Sequence, residues 1–270
     1  MADLSIQYDE EMVGAGHPTK EDTLNRLVLA EHNSDGTHKN GVAAYIVGCG
    51  VYPAGVSSLT IRSGRVSIAG ADYEIPATLT KSGLTGLDSD SLYRVEVSAP
   101  ASGSEITASE IAVTTSAHAW NQSRHCLMRS EARLLGLFAT DGGGDIIPHY
   151  LDGRFLEFDD PPVIADVSSA QTWPTTAAAF APSEWDCLME LLASLSGTNT
   201  YDLEVKVGRG NTAREFKVHN YYSAQNWGGE YPLSAMSAAG NLRYGFSANA
   251  GSAGLSIKQA GLWLPPGLGR

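Results

Sequence analysis

The sequence is poor in cysteine and in long apolar runs, and each shortage excludes a class of protein. Its 270 residues include 3 cysteines, which lie far apart, so neither a disulfide framework nor a zinc ligand set is expected. No apolar run approaches the roughly 18 residues of a membrane helix, and no basic and apolar leader opens the chain. We therefore expect reduced, structural thiols at Cys49, Cys126 and Cys187, folding in a cytoplasm, and no membrane partner.

Positive charge is scarce as well. The chain has 18 Lys and Arg against 30 Asp and Glu, a formal net charge of −12. Because phosphate binding needs concentrated positive charge, nucleic acid is not an expected partner. Eight of the acids lie in the first 35 residues, against two bases there. The sequence therefore predicts a distinct acidic segment at the start of the chain.

A short helix is predicted inside this acidic segment. A hydroxyl N-cap and acids in the first turn open it, and an Asn-Ser-Asp-Gly turn closes it. Leu24, Leu27 and Val28 form one narrow apolar stripe, which we predict to be an attachment or packing surface. Since one stripe does not stabilise a lone helix, the helix is expected to dock on another surface. Residues 1–40 are thus predicted to be an acidic helical anchor segment.

The rest of the chain alternates in short runs, with turn signals about every 8–12 residues, as in sandwiches and small barrels. We predict a mainly β fold, with an N-terminal short helix followed by two β-sandwich-like modules, the second with one helix. Residues 41–155 are the predicted β-rich middle domain, and 156–182 a Pro/Ala/Ser-rich junction. Residues 183–270 are the predicted C-terminal β-rich domain with one helix.

Two runs in the middle domain predict strands of different burial. Leu92–Val97 alternates strictly, which predicts a half-buried strand with Arg94 and Glu96 facing water. Ala132–Thr140 is almost uniformly apolar and predicts a buried strand.

Hairpins are predicted from the turn residues between neighbouring strands. Strands at Ser58–Arg62, Arg65–Ala69 and Tyr73–Leu79 are separated by turns at Ser63-Gly64 and Gly70-Ala71.

In the last third of the chain, a helix start at Ser183 is followed by apolar residues at helical spacing (Trp185, Leu188, Leu192 and Leu195) up to Gly197. Beyond it the sequence predicts a hairpin and two final strands: Tyr201–Val207 with Ala213–His219, then Asn241–Ser247 and Leu255–Leu264.

No motif of the chain carries a catalytic signature, and we predict no enzyme, no catalytic residue, no cofactor and no metal. Asp141–Asp145 offers two carboxylates to calcium but lacks acids at alternate positions, so a hairpin loop is the better interpretation. His32, Asp35 and His38 have the spacing of metal ligands. Three ligands on one loop leave the geometry unfixed, and a polar helix exit is the simpler interpretation.

A group of aromatic residues lies in the last 100 residues of the chain: Trp173, Trp185, Tyr221, Tyr222, Trp227, Tyr231, Tyr244 and Trp263. Ring faces stack on saccharides while polar tips donate hydrogen bonds, so Trp227 and Tyr231 are candidate glycan contacts. The alternative is that these aromatic side chains belong to the core.

Two parts of the sequence resemble virion proteins of tailed bacteriophages. The run from His17 to His38 resembles the N-terminal attachment segment of phage fibre and appendage proteins, in which a short helix precedes a polar Asp-Gly-Thr-His exit. The second part is similar to a module of fibre and of head- or tail-decorating proteins. Its matching residues are Leu87–Tyr93 with its strand, Arg124, Ala132–Gly136, and the glycine-rich hairpin from Thr140 to Pro148. Together the matches cover about a third of the chain, and His149-Tyr150 departs from the pattern.

The resemblance implies a non-enzymatic structural component of a phage virion, a fibre or appendage attached to tail, baseplate or neck through its N-terminal segment. Alternatives are a capsid decoration or head fibre protein, or a receptor-binding module that binds host glycan through C-terminal aromatics. Implied partners are other virion proteins of the tail, baseplate, neck or capsid, and further copies of the chain, with a homotrimer favoured and assembly in the host cytoplasm. A depolymerase is disfavoured, because the chain lacks the repeats of a β-helical hydrolase.

Overall fold

The described part of the chain is built from strands and turns. A computed structural model describes residues 46–121, 126–152, 154–168, 175–197, 202–207, 214–219, 227–245, 254–264 and 268, and these contain no helix. The predicted mainly β fold is therefore confirmed, whereas the predicted N-terminal helix with Leu24, Leu27 and Val28 lies outside the described residues. No helix within the described ranges is long and apolar enough to cross a membrane.

The strands, in chain order, are β1 (Ile46–Gly48), β2 (Val51–Gly55), β3 (Ser58–Ile61), β4 (Gly64–Ile68), β5 (Ala71–Ile75), β6 (Leu79–Lys81), β7 (Leu92–Val97), β8 (Ile111–Thr114), β9 (Ala119–Asn121), β10 (Cys126–Arg129), β11 (Ala132–Ala139), β12 (His149–Asp152), β13 (Phe155–Phe158), β14 (Val163–Val167), β15 (Thr175–Ala178), β16 (Leu188–Gly197), β17 (Asp202–Val207), β18 (Arg214–His219), β19 (Trp227–Met236), β20 (Asn241–Tyr244) and β21 (Gly254–Trp263).

A five-stranded antiparallel sheet contains the strands that were predicted in the middle of the chain. Its order is β8-β7-β11-β10-β9. All eight residues of β11 are buried, as the apolar run predicts. Tyr93 of β7 stacks on Phe138 of β11, with ring centroids 5.2 Å apart. This central sheet is thus covered on both sides along β11.

A larger antiparallel sheet occupies the later part of the chain, in the order β12-β13-β21-β16-β19, with β14 also paired to β21. Leu188–Gly197, where apolar spacing predicts a helix, is strand β16 in this sheet. The segment has apolar residues on both faces, so its periodicity does not separate helix from strand, and pairing on both edges decides the outcome. Met189, Leu191 and Ala193 point into the core at strand period.

The stretch 156–182, predicted as a junction, includes most of β13 and all of β14 and β15. β13 and β14 pair along the same edge of β21. A side-chain amide also holds part of this stretch: Gln259 Oε1 accepts from Phe180 N and Gln259 Nε2 donates to Phe180 O, both at 2.9 Å. Gln259 therefore binds the segment before β16 much as a neighbouring strand would.

Two three-stranded sheets, β1-β4-β5 and β2-β3-β6, come from the first described strands. The hairpin predicted near Gly70-Ala71 is confirmed, with its turn at Ala69 and Gly70, which have φ values of +55° and +87°. These angles match the two-residue turns that follow the twist of a hairpin.

The predicted hairpin turn at Ser63-Gly64 is wrong, because β3 and β4 belong to different sheets. Gly64 instead lies opposite Gly48 in the β1–β4 pair, where a Cβ on Gly64 would come within 2.7 Å of Cys49 N. The glycine serves a close approach between two backbones. The run predicted as one strand from Tyr73 to Leu79 divides into β5 and β6 on either side of Pro76, which has no N–H for a ladder.

The remaining strand predictions are confirmed in position. β17 and β18 pair as the predicted hairpin, with Val207 opposite Arg214. β20 and β21 coincide closely with the two predicted final strands. β19, which pairs with the full length of β16, has no counterpart among the predicted strands.

One cluster of buried hydrophobic residues includes members from both large sheets. β2 lies against β11 and β12. At this contact a Cβ on Gly136 would come within 2.9 Å of Val51 Cγ2. The guanidinium of Arg133 in β11 is also buried, and its Nη1 donates to Ser67 O of β4 at 2.5 Å. The small sheets are therefore packed on the central sheet through both apolar and polar contacts.

The loop Asp141–Asp145 has the predicted hairpin form, since Thr140 and Ile146 bridge antiparallel across it. Asp141 Oδ1 accepts from Gly143 N at 2.8 Å and from Asp145 N at 3.0 Å. The carboxylate thus closes the loop by bonding its own backbone.

Gly144→Ala is expected to lower the free energy of unfolding by about 1–3 kcal/mol. Gly144 has a φ of +81°, and a Cβ there would lie 2.5 Å from Leu87 O. Gly143→Ala is the matched control, because its Cβ would meet a side-chain oxygen of Asp141 at 3.2 Å. Urea unfolding measures both variants, and equal losses would contradict this turn geometry.

Candidate functional site

Charged side chains cluster on the face of β7 that the sequence assigns to water. Arg94 is 4% exposed and Glu96 is 3% exposed, so the prediction that they face solvent is wrong. The strand itself is where it was predicted, but the partners that cover this face come from distant parts of the chain. The polar residues that alternate along β7 therefore belong to a buried group of ion pairs.

Arg94 forms a two-pronged ion pair with Glu184, 90 residues further along the chain. Its Nε donates to Glu184 Oε1 at 2.7 Å and its Nη2 donates to Oε2 at 2.5 Å. Its Nη1 donates to Thr115 O at 2.9 Å. Such a planar, two-bond pair is the strongest geometry available to these groups. It joins β7 to the segment that leads into β16.

Glu96 is the second buried carboxylate, and two side chains of the same sheet region surround it. Arg129 Nε donates to Glu96 Oε2 at 3.0 Å, and Arg129 Nη2 pairs with Oε1. His118 Nε2 lies 3.0 Å from Glu96 Oε2, and its Nδ1 lies 3.3 Å from Ser116 O. The His118 backbone N also donates to Glu184 Oε1 at 3.1 Å. His118 therefore connects the two ion pairs into one network.

Burial and pairing shift the titration of this network in opposite directions. Burial raises the pKa of Glu184, but hydrogen bonds from Arg94 and from the His118 backbone outweigh it and leave that pKa below its ordinary value. Burial lowers the pKa of His118, and the nearby Glu96 carboxylate opposes part of this shift. The hydrogen bonds that Arg129 donates to Glu96 raise the pKa of Arg129. The arrangement thus favours an ionised Glu184 at neutral pH.

Each charge in the network is met by an opposite charge or by a backbone partner. Both carboxylates and both guanidinium groups are therefore engaged with groups of the protein itself. The network holds together two stretches of chain that are far apart in sequence, which is a structural contribution.

Metal ligands do not gather in the described residues, where no group of three His, Cys, Asp or Glu side chains is arranged to hold an ion. The candidate set His32, Asp35 and His38 lies outside the described residues. Asp141, the first carboxylate of the candidate calcium loop, uses Oδ1 for two backbone N–H groups.

The three cysteines are buried thiols outside any disulfide, as predicted for structural thiols. Burial raises the pKa of Cys49 to about 11 and that of Cys187 to about 11. Because the thiolate is the reactive form, both side chains are poor nucleophiles at neutral pH. His125, the sequence neighbour of Cys126, lies outside the described residues.

The candidate glycan contacts Trp227 and Tyr231 both lie in β19. Tyr231 is opposite Ala193 of β16, a buried core position, and Trp227 is opposite Gly197 at the end of that strand. Tyr244, another member of the aromatic group, is buried, and this burial raises its pKa.

Trp263 of β21 is exposed on the outer face of the large sheet, the face turned away from the core, with 42% of its surface accessible. Its ring lies 5.2 Å from that of Phe155 on β13, and its Nε1 donates to Glu190 Oε1 of β16 at 3.1 Å. Other exposed large apolar residues on this face are Tyr150, Val163 and Met236. Sequence reasoning placed Trp263 in the aromatic group but missed Phe155 and Glu190, because only strand pairing brings them together.

Glu184→Leu is expected to lower the free energy of unfolding by about 3–5 kcal/mol, since the buried Arg94 guanidinium would lose its carboxylate. The double variant Arg94→Met/Glu184→Leu removes both charges and is expected to regain most of that loss. Urea unfolding of the two variants measures the difference. A single-variant loss of under about 1 kcal/mol would be that of an exposed pair and would contradict the burial described.

A second prediction concerns pH and His149, which is buried in β12 with its Nδ1 3.2 Å from Ile147 O. Burial lowers the pKa of His149, and backbone hydrogen bonds oppose this only in part. The unfolded chain therefore binds the proton more tightly, so stability falls as pH drops through about 6.5. His149→Phe is expected to flatten this dependence by up to about 1.4 kcal/mol per pH unit. Urea unfolding at pH 7.5, 6.5 and 5.5 measures it, and an unchanged slope would refute it.

Compared with known proteins, the chain matches no protein-family model and no curated protein.

Proposed function

We propose that the protein is a non-enzymatic structural component of a tailed-phage virion, a fibre or appendage that attaches to tail, baseplate or neck through its N-terminal segment. Its partners in this proposal are other virion proteins and further copies of the same chain, as a homotrimer. A capsid decoration or head fibre protein is the alternative within the same class.

The observation that carries the proposal is that the described segments of the second resemblance fold against one another, while Arg124 lies outside the described residues. Asp90 N donates to Asp141 O at 2.9 Å, and Thr140 Oγ1 donates to Asp88 O at 2.6 Å. Asp88 N in turn donates to the hydroxyl of Tyr93 at 2.8 Å. Separate stretches that share a pattern with virion modules thus form one contiguous unit around β7 and β11. This contiguity supports a common module over chance likeness of short strands.

The buried ionic network supports a structural role. Its charged groups form ion pairs with one another and hydrogen bonds with backbone atoms, and these groups are Arg94, Glu96, Arg129 and Glu184. An assembly protein benefits from such a network, because it gives the fold a single arrangement of distant segments. We count this as support for the non-enzymatic part of the proposal.

The attachment step is assigned to the predicted stripe Leu24, Leu27 and Val28. Covering three aliphatic side chains contributes on the order of 5 kcal/mol per copy. Several copies in one particle would add avidity without new contacts. The acids of residues 1–35 would complement a basic socket on the partner.

Leu24→Asp/Leu27→Asp is expected to reduce the copies of the protein per purified phage particle at least tenfold, because two charges would enter the apolar stripe. Mass spectrometry of particles from complemented hosts measures the copy number. Arg26→Asp is the matched control, since it also changes the charge by two units but lies on the opposite side of the predicted helix. We expect it to incorporate normally.

Two results would overturn the proposal. One is absence of the wild-type chain from purified particles. The other is equal incorporation of the stripe variant and the control, which would refute the anchor. Light scattering separates the two virion roles: a trimer supports the fibre, whereas a monomer supports the decoration protein.

A further inference from the structure

We propose that the outer face of the large sheet around Trp263 is a binding site for neutral saccharides. The site consists of the Phe155–Trp263 ring pair together with Glu190, Ser234 and Glu157. This proposal stands on geometry separate from the virion assignment, and it places the saccharide on β13, β16, β19 and β21.

The Trp263 ring is held in position although much of it faces water. Its Nε1 donates to Glu190 Oε1 at 3.1 Å, and Glu190 Oε2 accepts from Ser234 Oγ at 2.6 Å. The indole is therefore fixed by a carboxylate that is itself oriented by a hydroxyl from the next strand. A fixed exposed ring loses little conformational freedom when a ligand covers it.

Phe155 is fixed by a different device. It lies directly opposite Trp263 in the β13–β21 pair, with the two rings tilted by 39°. A Cβ on Gly261 would come within 2.6 Å of Phe155 Cζ and 2.8 Å of its Cε2. The missing side chain at Gly261 thus makes the space in which the Phe155 ring lies across the strand. Together the two rings form an aromatic floor on the outer face.

A polar row runs beside this floor. Strand register places Glu157, Gly261, Glu190 and Ser234 side by side across four strands. Tyr150, with 61% of its surface exposed, pairs with Glu157 at the end of the row. Hydrogen-bond acceptors therefore line one border of an apolar floor.

An aromatic floor with hydrogen-bond acceptors along one border is complementary to a sugar ring. A pyranose offers an apolar face of C–H groups to an aromatic ring and hydroxyl donors at its edge, and a carboxylate accepts from such donors. Aromatic residues also serve protein interfaces, but the centre of a protein interface is depleted in charged residues. Here a carboxylate, that of Glu190, is hydrogen-bonded to the exposed indole itself. The chemistry therefore favours a saccharide over a protein partner.

The charge of the site narrows the class of saccharide. Asp152, opposite Phe155, adds a third carboxylate to Glu157 and Glu190 in two adjacent rows. Like charges would repel sulfated, uronic or sialylated chains. We therefore assign the site to neutral pyranosides.

The test uses the purified full-length chain on an array of neutral and anionic glycans, followed by calorimetric titration with cellohexaose, maltohexaose and chitohexaose. We expect saturable binding of at least one neutral glycan and none of heparin. Trp263→Ala is expected to weaken that binding at least tenfold, and Glu190→Gln several-fold. Trp120→Ala is the matched control, because Trp120 is similarly exposed, at 46%, but lies on β9 of the central sheet. It is expected to bind as the wild type does.

Circular dichroism and urea unfolding confirm that each variant is folded, and Trp263→Phe keeps a ring at the site should Trp263→Ala unfold. Absence of saturable binding to every neutral glycan would overturn the proposal, as would equal binding by Trp263→Ala and wild type. A change of oligomeric state in Trp263→Ala without saccharide binding would reassign the face to contact between copies of the chain. None of these results bears on incorporation into particles, so this proposal and the virion proposal fail separately.

Discussion

The structure depends on the pairing of charges that are buried between β7 and the segment before β16. Arg94 and Glu96 are removed from solvent, and the contacts of Arg94 with Glu184 and Thr115 and of Glu96 with Arg129 and His118 offset the cost of that removal. A buried pair of this kind adds little net stability compared with apolar residues of the same shape. It does penalise every arrangement in which one partner is displaced. The network therefore selects one relative placement of two stretches that lie 90 residues apart.

The two candidate sites, the ionic network around Arg94 and the Phe155–Trp263 floor, differ in how their side chains are used. The charged groups of the ionic network are paired with one another and with backbone groups, which suits a structural role. The Phe155–Trp263 floor is the opposite case, since the Trp263 ring is oriented by its hydrogen bond to Glu190 and is still 42% exposed. Stability alone would favour burying a tryptophan of this size. We propose a ligand as the reason for an exposed and oriented ring, and under the two proposals the same fold would combine a structural role and a binding role on different faces.

Local pattern predicted what depends on local chemistry. β7, β11 and the Asp141–Asp145 loop follow from alternation, apolar runs and turn residues. The burial of Arg94 did not follow, because its partner is distant in sequence and a polar residue at strand period normally indicates water. β16 is apolar on both faces, so helix and strand were equally consistent with it. The Trp263 site could not be predicted from the sequence for a related reason. Phe155, Glu190 and Gly261 become neighbours of Trp263 only through the register of the strand pairs.

The position of β21 in the large sheet has a consequence for biosynthesis. It pairs with β13, β14 and β16, all of which leave the ribosome earlier. Those strands must wait with an unpaired edge until the last partner emerges, and non-local pairing of this kind is slow. The central sheet needs no such delay, since its strands are close in sequence. Co-translational folding would therefore complete the central sheet first. Until β21 is synthesised, the unpaired edges of its partner strands would be available for a chaperone to bind.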